Sequence, residues 1–304
     1  MNQESAKPYQ HVSRGVFCMI TAFLFVAVCS ALVKGVSNTK LPIPVIVFFE
    51  SLIPLTAIVI WHLRKGFGKF SITTKHPGLQ VTQGIVGFLT SYLLYLAVRN
   101  IPTVNGVLLN TSAPLFIPIV CFFWFKTKID LKLMLSIALG FFGIVMILKP
   151  SGAIFHQPGD LLALLSGLAV AFDDVILGRL DSSGEERTDV TLFYVFLMTT
   201  ILSGLLAIPV WQTPVGSQWL YLLAIGSGFL GIQLFLVLAL GLAPVITVSP
   251  FMYFGVIFAG LIDWFFWGMI PDLLTVAGII LVIAGAIGSI LLHPRKHPRG
   301  NNAD

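Results

Sequence analysis

The chain has 304 residues, of which 57% are hydrophobic and only 10% are charged. Soluble domains carry about 25% charged residues, so this composition argues against a water-soluble enzyme, a nucleic-acid-binding protein and a disordered scaffold. The formal net charge of +5 comes from cations in short segments beside apolar runs, where they act as orientation signals. We therefore expect a polytopic α-helical membrane protein with no separate soluble domain.

Ten apolar runs follow one another along the chain, each long enough to cross a bilayer at about 20 residues per helix. Prolines lie near the ends of most runs, where a helix tolerates them. The predicted helices are 15–34, 43–62, 78–98, 103–125, 131–148, 159–178, 190–210, 217–239, 244–267 and 272–292. The first run is longer than the apolar part of a typical signal peptide, so we interpret it as a retained helix.

The basic residues predict the orientation of these helices. With the N-terminus in the cytoplasm and a change of side at each helix, only Lys34, Lys40, Arg99 and Lys149 lie outside, and the other 14 of the 18 basic residues lie inside. Cytoplasmic loops carry an excess of Lys and Arg. The segregation therefore favours ten helices with both termini in the cytoplasm. The expected location is a bacterial inner (plasma) membrane.

The two halves of the chain are similar to each other. A shift of 142 positions superimposes Pro102 on Pro244, Asp130 on Asp272 and Gly143 on Gly285. Each half holds five helices, so the two copies cross the membrane in opposite orientations, as inverted repeats of secondary transporters do. The expected organisation is an N-terminal tail (1–14), a first repeat (15–150), a second repeat (158–292) and a C-terminal tail (293–304).

Specific motifs accompany this pattern. The sequence from Ala97 reads A-V-R-N-I-P-T-V-N-G-V-L-L-N-T-S-A-P-L-F, and after a basic turn the half closes with L-G-F-F-G-I-V-M-I-L-K-P at residues 139–150. The sixth helix opens with G-D-L-L-A-L at residues 159–164 and closes with Gly178-Arg179-Leu180. These motifs resemble the EamA unit of the drug/metabolite transporter superfamily, and the resemblance covers essentially the whole chain.

The resemblance implies a ten-helix bundle of two inverted five-helix halves that moves a small amphiphilic metabolite by alternating access. Amino acids and nucleoside-like compounds such as S-adenosylmethionine are compatible substrates. The expected partners are this small molecule and the lipid bilayer, but not nucleic acid, and a coupling proton and a homodimer stay open.

Acidic residues inside the predicted helices are candidates for the substrate site. A carboxylate at the centre of a membrane helix costs about 2.5–3.5 kcal/mol on insertion scales, so Glu50, Asp173 and Asp174 each need an explanation. Asp174 shares its helix face with small residues that leave room for a ligand or a close helix, which makes it the preferred substrate or proton contact. A structural hydrogen bond remains an alternative role for all three carboxylates.

Four uncharged residues complete the predicted site: Gln83, Asn110, Gln233 and Tyr253. Their helices line the central cavity in the family that the chain resembles. An acidic cavity without deep basic residues is expected to favour substrates with an amine or sulfonium group. Glycine pairs such as Gly84 with Gly87 and Gly140 with Gly143 are interpreted as helix-packing positions.

No cofactor or metal is predicted. The three cysteines lie in apolar runs, and the six histidines show no spacing such as H-E-x-x-H. The sequence also has no Walker A motif, so transport would depend on a gradient or on exchange. An intramembrane enzyme, which would need a nucleophile–base pair or a metal cluster at membrane depth, and a channel are the alternative functions.

Overall fold

A computed structural model describes residues 12–37, 41–64, 73–100, 109–126, 131–148, 158–182, 186–267 and 273–291. Its main elements are α-helices, as the apolar runs predict. In the first half these are α1 (Val12–Ser37), α2 (Ile43–Arg64), α3 (Pro77–Asn100), α4 (Ala113–Phe125) and α5 (Leu131–Leu148). The predicted tails fall almost wholly outside the described residues.

The second half continues in the same way. It contains α6 (Pro158–Ser182), α7 (Thr188–Ala207), α8 (Gln218–Leu242), the short α9 (Val245–Val248), α10 (Phe254–Trp267) and α11 (Leu273–Leu291). A 3₁₀ turn (Ile208–Val210) follows α7, and a second one (Ser249–Tyr253) lies between α9 and α10. Among the described residues, seven segments are long and apolar enough to span a membrane, and three shorter apolar helices accompany them.

Two of the predicted helices are interrupted. The segment 244–267 was expected to be continuous, but the 3₁₀ turn breaks it around Pro250, because proline has no N–H to donate and its ring clashes with the carbonyl four residues earlier. In the predicted helix 103–125, Thr111 and Ser112 form a turn before Pro114, and Pro114 has no N–H to donate to the carbonyl of Asn110 four residues earlier. Residues 103–108 lie outside the described part.

The helices of the two halves pack on each other in related pairs. Along the length of the bundle, α1 lies against α8 and α3 against α6, whereas α2 packs on α7 and α5 on α11. In addition, α3 contacts α7 and α2 contacts α8. A shift of 142 residues exchanges α1 with α6, α3 with α8 and α2 with α7, so each of these contacts has a counterpart.

The contact between α5 and α11 shows the same relation at the level of single residues. A Cβ atom on Gly143 would lie 2.6 Å from the Gly278 carbonyl oxygen and 2.8 Å from the Val282 nitrogen. A Cβ atom on Gly285 would lie 2.6 Å from both the Ser136 carbonyl oxygen and the Gly140 nitrogen. The contact is thus reciprocal, and it confirms the packing role predicted for these glycines.

Candidate substrate site

Asp173 on α6 is paired with Gln83 on α3. The Gln83 amide donates a hydrogen bond to Asp173 Oδ1 at 3.0 Å, and both side chains are buried. Gly87, one helical turn after Gln83, lies beside the carboxylate, because a Cβ atom there would be in ordinary contact, at 3.7 Å, with each carboxylate oxygen. Two residues that the sequence singled out separately therefore meet across the contact between α3 and α6.

Asp174, the neighbouring residue, has a different environment. It is 2% exposed, and its Oδ2 atom has no hydrogen-bond partner among the described residues. Adjacent helical residues point about 100° apart, so Asp173 and Asp174 cannot share the Gln83 amide on one narrow face. A buried carboxylate oxygen without a donor is costly, and a ligand that brings a donor or a positive charge would offset this cost.

The small residues on the Asp174 face of α6 are partly used for helix packing. A Cβ atom on Gly167 would lie 2.6 Å from the Leu109 carbonyl oxygen, so the segment before α4 approaches α6 closely here. Gly178 has more space, with Val245 at 3.7 Å. The close-helix interpretation of this face therefore holds at Gly167, whereas Gly178 makes only an ordinary contact.

Asn110 belongs to a chain of hydrogen bonds near this packing contact. Its amide donates to Ser166 Oγ at 2.8 Å, and the Ser166 hydroxyl donates to the backbone carbonyl of Thr90 at 2.9 Å. The chain joins α3, α6 and the segment before α4. Asn110 therefore positions the helices that carry the Asp173–Gln83 pair.

Glu50 does not join the aspartates. Its Oε1 accepts a hydrogen bond from the Tyr95 hydroxyl at 3.0 Å, and its Oε2 has no partner among the described residues. Tyr95 and Gln83 are twelve residues apart on α3, which corresponds to about 18 Å along the helix axis. The acidic residues therefore occupy two separate places, and the single cavity predicted from their depth is divided.

Gln233 and Tyr253 also lie apart from each other. Gln233 is buried on α8 with an Oε1 atom that has no partner among the described residues. The hydroxyl of Tyr253 donates to the Ile137 carbonyl at 3.4 Å, and its ring packs against Gly140. In this structure Tyr253 thus makes a packing contact with α5.

A small cavity opens one turn away from the Asp173–Gln83 pair. It has a volume of about 270 Å³ and is lined by Leu79, Trp124, Ile176 and Arg179. Leu79 precedes Gln83 by one helical turn on α3, and Ile176 follows Asp173 by three residues on α6. The cavity therefore borders the pair on the side where α3 begins and α6 ends.

A polar cluster at this end of the bundle was missed by the sequence reasoning. Its members, here called the polar end, are His62, Thr74, Gln80, Glu186, Asp189 and Thr191. Thr74 Oγ1 and the backbone N–H of Lys75 each donate to Glu186 Oε1 at 2.8 Å. The Gln80 amide donates to Thr191 Oγ1 at 3.1 Å, and His62 Nε2 lies 3.0 Å from Asp189 Oδ2. These bonds connect the first half of the chain to the second.

The charge of Glu186 is stabilised by this network. Burial alone would raise the pKa of its carboxyl, but hydrogen bonds from Thr74, Lys75, His76 and Gln80 outweigh burial and lower it. The sequence did contain a signal for this cluster, because the charged residues Glu186 and Arg187 lie just before Thr188. Charged residues beside the end of a membrane helix often bind polar groups of neighbouring helices.

Aromatic rings pack on each other at the opposite end of the bundle. Phe49 packs edge-to-face on Trp219, with ring centroids 5.1 Å apart, and Phe48 packs edge-to-face on Trp211 at 5.7 Å. These four residues are called the aromatic end.

No group of three or more His, Cys, Asp or Glu side chains that could hold a metal ion occurs among the described residues.

Comparison with known proteins gives two matches to one family. The model of the EamA-like transporter family matches residues 13–149 and again residues 157–291. The pseudopaline exporter of Pseudomonas aeruginosa is 28% identical, over 90% of this chain and 94% of its own. The S-adenosylmethionine uptake transporter of Rickettsia felis is 26% identical over 79% of each chain.

Two further similarities extend this picture. The riboflavin transporter of Vibrio cholerae is 26% identical, over 86% of this chain and 87% of its own. A protein of known crystal structure has the same fold, with a TM-score of 0.74 and 20% sequence identity, over 94% of this chain and 98% of its own.

Proposed function

Because the chain belongs to the EamA-like transporter family, and is thus a small-metabolite transporter rather than an enzyme, we propose that it moves a metabolite with a cationic group by alternating access. The observation that carries this proposal is the buried acidic pair Asp173–Asp174, in which Asp174 Oδ2 has no partner among the described residues. Gln83 holds Asp173 in place, which leaves Asp174 to contact the substrate.

The substrate class follows from charge. The basic residues on the described helices lie within the first or last few residues of each helix. On α6, Arg179 follows Asp174 by five residues, towards the end of the helix, so the two aspartates lie deeper than this cation. An amine or sulfonium group would balance the charge of the two aspartates, whereas a phosphate or a dicarboxylate would add repulsion. S-Adenosylmethionine carries both an amine and a sulfonium, and the similarity to the S-adenosylmethionine uptake transporters makes it the first compound to test.

The proposed architecture is ten membrane helices in two inverted repeats of five, in a bacterial inner membrane with both termini in the cytoplasm. The reciprocal contact of Gly143 and Gly285 supports the repeat, as do the two successive matches to one family model. The distribution of Lys and Arg supports the orientation, and in this proposed orientation the polar end would face the cytoplasm.

Alternating access then requires the two ends to open in turn. The polar end joins the halves through directed hydrogen bonds, such as that from Thr74 to Glu186, and the aromatic end through ring contacts. The polar end and the aromatic end lie at opposite ends of the bundle, with the Asp173–Gln83 pair between them and nearer to the polar end. A substrate bound at Asp174 would leave through whichever end has opened.

The proposal is tested by ligand-dependent stability of the purified protein, because a ligand that binds the folded state raises its unfolding temperature. The panel contains S-adenosylmethionine, methionine, riboflavin and glycerol phosphate. We expect the cationic compound to stabilise the protein most and to show counterflow in liposomes. Preferred binding and transport of the phosphate ester would overturn the proposed substrate class.

A further inference from the structure

The pair of Glu50 and Tyr95 is not used by the substrate site. Glu50 is 4% exposed on α2, and the Tyr95 hydroxyl donates to its Oε1, while its Oε2 is buried without a partner among the described residues. Ser51, the next residue, cannot supply the missing donor, because its hydroxyl donates to backbone carbonyls of α2. The Glu50 carboxyl therefore lacks one hydrogen-bond donor.

The backbone at the same residue lacks a donor as well. Pro54 lies four residues after Glu50 within α2, and proline has no N–H to donate to the carbonyl four residues earlier. The Glu50 carbonyl oxygen thus loses its regular helical partner. A carboxylate oxygen without a partner among the described residues and a carbonyl oxygen without its regular helical donor therefore occur at one residue inside a membrane helix.

The fold does not require this arrangement. The positions that correspond to Glu50, Pro54 and Tyr95 in the second half, 142 residues later, are Leu192, Phe196 and Val237. All three are buried and belong to the main hydrophobic core. The equivalent contact between α7 and α8 therefore forms from apolar residues alone.

The titratable neighbours of Glu50 are few. Of the helices packed against α2, α3 contributes Tyr95, with Arg99 exposed at its end, and α8 carries no acidic or basic residue. The acidic residue of α7, Asp189, lies at the polar end, as do the basic residues in the last turn of α2. From α1, the Cys29 thiol donates to a carbonyl of α8. Among the side chains that the structure describes, the ion pairs His62–Asp189 and Arg187–Asp189 do not involve the Glu50 carboxylate.

On the basis of the proposed transport function, we propose that Glu50 is the binding site of a coupling proton, separate from the substrate site at Asp173 and Asp174. A proton from water on one side joins the carboxylate oxygen to give the neutral acid, and the same proton leaves to water on the other side after the bundle reopens. Hard metal cations such as Ca²⁺ take six or more oxygen ligands, whereas a proton needs one. The single carboxylate therefore fits a proton.

The proton site can be tested without any substrate. Infrared difference spectra of the full chain in lipid, recorded at stepwise pH, report the protonated carboxyl groups of buried acids. We expect a titrating band that Glu50→Gln removes and Asp174→Asn retains. Tyr95→Phe should keep this band and shift its midpoint, because the hydroxyl that donates to the carboxyl is lost.

Two outcomes of the infrared experiment would overturn the proposal. One is a Glu50→Gln protein that retains every titrating carboxyl band of the unmodified protein. The other is a band that changes when sodium is replaced by choline at constant pH, because this result would assign a metal cation. Tyr95→Phe is the control, because it changes the same contact and preserves the size of the side chain. If this variant retains the band, disruption of the contact alone does not explain loss of the band in Glu50→Gln.

Transport separates the two sites. With radiolabelled S-adenosylmethionine as the probe in proteoliposomes, Glu50→Gln should lower accumulation driven by a pH gradient at least about tenfold and leave counterflow without a gradient within about twofold. Asp174→Asn should lower both. Equal loss of counterflow in the two variants would show one shared site and contradict the inference. If the unmodified protein moves no probe, the proposed substrate fails, and the infrared spectra still decide the proton site.

Discussion

Two helix contacts, α3–α6 and α1–α8, are related by the 142-residue shift. They differ in the chemistry of their residues. The first contains the Gln83–Asp173 pair. At the corresponding positions the second contains Ile225 and Ala31, and it is otherwise built from packing such as Phe25 on Phe235, with ring centroids 6.0 Å apart.

This difference distinguishes the residues that helix packing requires from the residues that the proposed substrate site requires. The apolar contact shows that two helices of this geometry pack well without any carboxylate. Each carboxylate at membrane depth costs about 2.5–3.5 kcal/mol on insertion scales. The α3–α6 contact therefore accommodates two costly carboxylates that helix packing does not require, and the proposed binding of a charged ligand would account for their presence.

The comparison of the two contacts assumes that the halves of the chain form an inverted repeat with the proposed orientation. Cysteine labelling at the two ends of α7 tests this orientation with an all-or-none result. Arg187 precedes α7 and Thr213 follows it, so the two lie at opposite ends of one helix. In intact cells, an impermeant thiol reagent should label Thr213→Cys and leave Arg187→Cys unlabelled, with the native cysteines replaced in both variants. Labelling of Arg187→Cys from outside would contradict the proposed orientation.

The reciprocal glycine contact predicts the largest graded effect. Gly285→Leu should destabilise the protein by about 3 kcal/mol, because the new side chain would collide with the backbone of α5 rather than with a flexible side chain. Thermal unfolding in detergent measures the loss. Gly260→Ala is the matched control, since a Cβ atom there meets nothing within 4 Å, and equal unfolding temperatures for the two variants would exclude the close α5–α11 contact.

Glu186 at the polar end predicts a smaller effect that depends on pH. Its pKa is lowered in the folded protein, so its stabilising contribution is present above the ordinary Glu pKa of about 4.3 and is lost as the pH falls through the lower folded value. Glu186→Gln should cost about 1–2 kcal/mol at pH 7, and this cost should shrink as the pH falls below about 4.3 and through the lower folded pKa. A constant difference in unfolding temperature across this range would show that its charge does not contribute.

The sequence was sufficient to predict the helical class and the family, because the apolar runs and the motifs around Pro114 and Gly143 are local signals. It did not predict the interruption at Pro250, which lies in an apolar run that reads as one helix. The depth of Glu50, Asp173 and Asp174 in their helices was evident, but the rotation of each helix was not. Grouping them therefore required the tertiary contacts that join Glu50 to Tyr95 and Asp173 to Gln83.

The counterflow of radiolabelled S-adenosylmethionine by Asp174→Asn tests the central claim most directly. Asparagine keeps the shape of the side chain and removes its charge, so the rate should fall at least about tenfold, which corresponds to about 1.4 kcal/mol, while the yield of folded protein changes little. Gly260→Ala, a change at an exposed helix position where a Cβ atom meets nothing within 4 Å, should keep the rate within about twofold. Normal counterflow by Asp174→Asn at every pH would show that the carboxylate serves only as a structural hydrogen-bond partner, and would contradict the proposed site.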